Sequence, residues 1–169
     1  MVFYSYLILM ACYNRLDLDL DSEMVKIRGS KHLIVLFVLF ILFLARVLSQ
    51  FIQSVYPLDF LPDFASFQSG ALSYEALLAF QLIIIAWCIY IINAIKKSAI
   101  TPSKIKANLL LGFGLIYFSF MLFRLIAGFT FAAEGDWLNN PIPSTFHIVL
   151  SLFVLCHGHY HLHYANARS

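Results

Sequence analysis

Apolar residues do not alternate with polar ones in this chain; they run in long blocks separated by short polar stretches. The clearest block, Leu33 to Leu44, is an unbroken series of Leu, Ile, Val and Phe. About 20 helical residues rising 1.5 Å each cross the hydrocarbon layer of a bilayer, so such a block predicts a membrane-spanning helix. Four spans are expected, at about 32–53, 74–95, 107–131 and 144–164. Pro141 and Pro143 form the start signal of the fourth. The expected fold is all-α: an antiparallel four-helix transmembrane bundle, built as one domain over residues 24–169 without an internal repeat.

Residues 1–23 stand apart from this pattern. The apolar stretch Met1 to Tyr13 lacks the basic flank of a signal peptide, and Leu9-Met10-Ala11-Cys12 resembles a lipoprotein cleavage box only loosely. Leu16 to Asp21 is polar at every second residue. A poorly ordered N-terminal extension is expected, as an over-extended start would give. Met24-Val25-Lys26-Ile27-Arg28 then opens like a cytoplasmic N-terminus.

The basic residues are sorted by position. Lys26, Arg28 and Lys31 precede the first span, Lys96, Lys97, Lys104 and Lys106 lie between the second and third, and Arg168 follows the fourth. The other two loops hold no Lys or Arg and carry Asp59, Asp63, Glu134 and Asp136, with Glu75 at the edge of span two. The positive-inside rule therefore predicts an integral protein of an inner or plasma membrane with both termini cytoplasmic. In the first outer loop Tyr56, Phe60, Phe64 and Phe67 recur at helical spacing. They predict a short amphipathic segment near 62–68 that lies in the interface or packs over the bundle. Trp137 in the second outer loop has the character of an interfacial anchor.

Composition sharpens the class. The 169 residues are 62% hydrophobic and 12% charged, against about 25% charged in a soluble domain, so this chain cannot cover itself with a polar surface. A net charge of +2 gives nucleic-acid binding no support. The expected partners are membrane lipids and a membrane protein. Cys12, Cys88 and Cys156 form no C-x-x-C pair and read as small packing residues.

Polar groups inside a span are costly and usually face the bundle interior. Arg46, Gln50 and Gln53 share one stripe of span one; Gln81 lies in span two, Arg124 in span three and His147 in span four. Helix direction places Arg46, Gln81, Arg124 and His147 at one level in the outer half, with Gln50 one turn beyond Arg46 on the same stripe; these five are the candidate ligand-binding residues. No acidic residue lies within a span, so Glu75 and the loop carboxylates are the nearest anions for the two arginines. One reading is an outward-facing pocket for an anionic or polar ligand, such as a lipid headgroup or a quinone-like ring. The other is snorkelling of each arginine to the outer interface.

Four of the six histidines crowd the cytoplasmic end of span four: His157, His159, His161 and His163. His157 and His161 share a face at i, i+4, as do His159 and His163, a spacing that can chelate a transition metal or present an axial haem ligand. His32 at the start of span one stands at the matching level and is the candidate second haem ligand. The bland alternative is a helix end whose half-polar rings suit the headgroup zone. No nucleophile elbow, phosphate-binding loop or zinc-protease helix is present, and the spans carry no acid–base pair. The function expected is therefore non-catalytic binding of a partner protein or of a lipid- or quinone-like ligand in the outer pocket. The alternative is a small redox or metal-handling subunit that binds haem or a transition metal through the histidines.

Overall fold

A computed structural model of the chain describes residues 31–67, 73–130 and 141–166. The N-terminal extension, Glu134, Asp136, Trp137 and Arg168 lie outside the described residues. The architecture is all-helical, with four helices each long and apolar enough to cross a membrane: α1 Lys31–Val55, α2 Tyr74–Lys96, α3 Lys104–Thr130 and α4 Pro141–Asn166. A lone 3-10 turn, Phe64–Phe67, lies between α1 and α2.

Local chemistry sets the helix ends. Ser73 caps α2, its hydroxyl accepting from the Ala76 amide at 3.5 Å. Glu75 in the first turn and Lys96 in the last complement the helix dipole. At the far end Ser98 turns left-handed with φ 52°, its amide bonds the Ile95 carbonyl at 2.9 Å, and the Ala99 amide bonds the Ala94 carbonyl at 2.9 Å. That pair of bonds is the Schellman closure, here made without glycine. The third helix begins three residues before its expected start, because Pro102 and Ser103 provide a helix entry ahead of the apolar run. Lys104 and Lys106 thus belong to the first turn of α3 rather than to the connecting loop. The fourth likewise starts at Pro141 itself.

Neighbouring helices run antiparallel. Gln50, late in α1, meets Gln81, early in α2. His32, at the start of α1, meets His159, near the end of α4. Tyr117 in the middle of α3 meets His147 early in α4. The apolar core joins α1, α2 and α4 through Leu36, Phe40, Cys88, Ile91, Ile95, Phe153, Tyr160 and Tyr164. The fourth helix is the most enclosed and α3 the least.

Small residues seat α3 on α4. A Cβ at Gly114 would stand 2.8 Å from Leu155 Cδ2, and one at Gly158 would stand 3.1 Å from the backbone nitrogen of Leu111. In lipid, helix association gains little from apolar surface as such and depends on close packing, which such residues permit. Gly112 has open space around it and takes no part in the contact. Outside these seams the surface is apolar: Phe37, Ile83, Ile116 and Phe129 are all exposed, as side chains facing acyl chains would be.

Candidate functional site

The site at the Arg46 end grows from the polar stripe of α1. One turn of helix brings Arg46 over Gln50, and Arg46 Nη1 donates to Gln50 Oε1 at 2.5 Å. Arg46 Nη2 donates to the Phe67 carbonyl at 2.8 Å, so the other prong of the fork holds the 3-10 turn. The guanidinium carbon lies 5.9 Å from the ring centroids of both Phe67 and Phe146, within cation–π range. Farther along the same stripe Gln53 Oε1 accepts from the Leu58 amide at 3.0 Å. The stripe therefore holds the described segment after α1 at two points, Leu58 and Phe67.

Its second element comes from α2, whose Gln81 Nε2 donates to Gln50 Oε1 at 3.1 Å. One carbonyl oxygen thus receives two donors from two helices. Its third comes from α4, where His147 Nδ1 pairs with the Tyr117 hydroxyl of α3 at 2.5 Å. Arg124 of α3 is buried. Between α1, α2 and α4 lies a cavity of about 230 Å³ with Arg46, Gln81 and His147 on its wall and Phe43, Phe80 and Leu150 among its apolar residues.

The chain matches no family model, no curated protein and no solved structure.

The structure thus brings Arg46, Gln50 and Gln81 into one hydrogen-bonded network with His147 across the cavity, while Arg124 is buried in α3 and is not among the residues that line the cavity. The partners of Arg46 differ from the expectation. Among the described residues it bonds an amide oxygen and a backbone carbonyl, not Glu75, Asp59 or Asp63. A neutral acceptor costs less to desolvate than a carboxylate, and a full-charge partner is not needed where two aromatic faces also flank the cation. Residue spacing did not reveal the Phe67 carbonyl, the Phe146 ring or the Tyr117 hydroxyl. Spacing puts Tyr117 on the stripe of Arg124, two turns before it, but not against His147 of another helix. With His147 it forms a pair able to pass a proton, which span-by-span reading could not see.

The 3-10 turn also refines the first outer loop. Phe67 is buried while Tyr56 and Phe60 are 71% and 80% exposed, so the four aromatics do not share one face. Pro57 and Pro62 interrupt the helical register that would have aligned them.

Gln50 offers a test of this network. It is fully buried, and its Nε2 has no hydrogen-bond partner among the described residues. Gln50→Glu keeps the acceptor, removes that orphaned donor and gives Arg46 a counter-ion. It should stay within about 1 kcal/mol of wild type, since a well-paired buried ion pair roughly breaks even. Gln50→Leu strands two donors and should cost about 1–3 kcal/mol. Unfolding in graded SDS measures both, and a leucine variant as stable as wild type would show that the network holds nothing.

At the opposite end the histidines divide between two faces of α4. His159 Nδ1 and His32 Nε2 lie 2.9 Å apart, and His163 stacks beside both. That distance is a direct hydrogen bond between the two imidazoles. On the other face His157 and His161 stand 4.9 Å apart between ring centroids. His161 Nδ1 accepts from the Ser103 amide at 3.3 Å. No group of three His, Cys, Asp or Glu side chains among the described residues has the geometry of a metal site. Cys88 and Cys156 are free thiols within the apolar helices.

Proposed function

We propose that this multi-pass membrane protein is a binding protein. Its ligand is lipid-like or quinone-like and presents acceptor oxygens to the cavity among α1, α2 and α4. The observation that carries this reading is the cavity itself, whose wall sets the buried groups Arg46 and Gln81 and the His147 ring beside aromatic and aliphatic side chains. Such a lining suits a molecule with a polar head and an apolar body. With Tyr117 as donor to Nδ1, His147 keeps its proton on Nε2 and adds a donor to the cavity. The cavity volume fits one ring or headgroup rather than a whole phospholipid, so the ligand's tail runs out between helices. The positive-inside distribution assigns this cavity to the outer leaflet and the Lys96–Lys106 connection to the cytoplasm.

Thermal unfolding of the purified chain with added phosphatidylglycerol, decylubiquinone or phosphatidylcholine tests this. A hundredfold excess over Kd stabilises by about 2.7 kcal/mol, or roughly 5–10 °C in a chain of this size. One of the first two probes should give that rise and phosphatidylcholine should not. Leu150→Trp, which fills the cavity from its apolar wall, should abolish a decylubiquinone rise outright, and a phosphatidylglycerol rise once His157→Phe is added, while the protein still folds. Equal shifts from all three lipids, or a shift that survives these changes, would remove the cavity as the site. Labelling of a cysteine at Ser98 from the outside of intact cells would reverse the orientation. The competing redox or metal-handling reading rests on the histidine group. A Soret band or stoichiometric metal that disappears in the His157→Ala/His161→Ala variant would put it first.

A further inference from the structure

A second cavity, of about 430 Å³, opens beside α4 between α2 and α3, at the end away from Arg46. Its polar lining is His157, His161, Lys106 and Thr101, its aromatic lining Trp87 and Tyr90, and it has no acidic side chain. We propose that this cavity binds a phosphate-bearing anionic head, independently of the Arg46 cavity.

The donors argue for an anion. His157 is 8% exposed, lies edge-on to the Trp87 ring at 6.4 Å, and neither of its ring nitrogens has a hydrogen-bond partner among the described residues. A buried imidazole without partners is a standing cost that apolar packing at the same place would avoid. It is retained on the wall of a cavity, where a bound group can satisfy it. His161 is 3% exposed, and its Nδ1 accepts a backbone N–H. With that acceptance the ring is neutral, its proton sits on Nε2, and it brings an N–H donor to the cavity wall. The Lys106 ammonium and the Thr101 hydroxyl supply further donors, and three more lysines, at 96, 97 and 104, lie at the same end. Several N–H and O–H donors without an acid around one space suit the oxygens of a phosphate group. The opening lies between two apolar helices, and the aromatic wall suits a glycerol backbone and the first methylenes of a lipid. The same chemistry would take a soluble phosphate compound, which the experiment separates.

The test uses the whole chain, with Trp137→Phe leaving Trp87 as the reporter, reconstituted in nanodiscs. Bromine-labelled phosphatidylglycerol should quench Trp87 more strongly than bromine-labelled phosphatidylcholine at equal mole fraction. His157→Phe keeps the aromatic volume and removes the donors. It should weaken the preference for phosphatidylglycerol roughly tenfold, about 1.4 kcal/mol, while the thermal midpoint holds or rises because an unpartnered polar group has left the interior. A merely structural histidine would lower the midpoint and leave the preference alone. Thr101→Val at the rim should weaken the preference without touching the core, and covers the case in which His157→Phe does not fold. Displacement of brominated phosphatidylglycerol by millimolar inorganic phosphate makes the ligand a soluble phosphate compound; no displacement makes it the lipid. Both results uphold the phosphate site. Equal quenching by the two lipids, an undiminished preference in His157→Phe and Thr101→Val, or a stoichiometric metal lost with His157 would overturn it.

Discussion

Arg46→Leu should destabilise the folded chain by about 1–3 kcal/mol, although leucine is the better residue in lipid. The two effects oppose each other. On insertion scales an arginine at mid-helix costs about 2.5–3.5 kcal/mol, so a snorkelling arginine would gain from replacement. Arg46, however, is 7% exposed and its fork bridges Gln50 and the Phe67 carbonyl. Removing it leaves a carbonyl and part of a buried amide network unsatisfied, and the unfolded chain in detergent still solvates arginine at its surface. Loss of the bridge should therefore outweigh the gain. The effect should also be local: the Ser66 amide, which bonds the Asp63 carbonyl at 2.8 Å inside the turn, should exchange faster once Phe67 is released. Arg46→Lys retains the charge but not the fork and should fall between the two. A leucine variant that is more stable than wild type in SDS titration, with Ser66 exchange unchanged, would return Arg46 to the snorkelling reading.

Gly158→Val should be the most damaging single change on α4, by about 1–3 kcal/mol or more. A Cβ there would meet Leu110 Cβ, Leu111 Cγ and the Leu111 backbone nitrogen, each at 3.1 Å. The backbone atom cannot rotate aside, so α3 must move as a body, and α4 is its principal support. The other glycines grade the expectation. A methyl at Gly114 would meet the Leu155 side-chain end first, at 2.8 Å, which a rotamer change can relieve in part. At Gly112 nothing lies within 4 Å, and alanine should be neutral or gain up to about 1 kcal/mol of helix propensity. The order of stability expected in SDS unfolding is Gly112→Ala, Gly114→Ala, Gly158→Ala, Gly158→Val. A reversal at the Gly158 end would mean that α3 is not held by this seam.

Helix number, length and class were written in the sequence because a bilayer leaves the backbone no choice. An apolar run without water must satisfy its own N–H and C=O groups, and only a helix does so within one segment. The face-sharing of His157 with His161 and of His159 with His163 was legible for the same reason, since it depends on helix pitch alone. So was the common level of Arg46, Gln81 and His147, which line one cavity and needed only span boundaries and direction.

What those residues touch was decided by tertiary structure. Each helix is apolar nearly all round, so no hydrophobic stripe announces which side turns inward. Between such surfaces the choice falls to close packing and a few polar contacts. Gly158 admitting Leu111 sets α3 at the rim against α4, Phe67 folding inward supplies the carbonyl that Arg46 holds, and His159 meets His32 across the bundle. None of these pairs has a sequence spacing that the helix repeat could predict, because each joins different helices or a helix and a loop. Distances along a helix are fixed by the local backbone; distances between helices depend on the shapes of all the side chains that meet there.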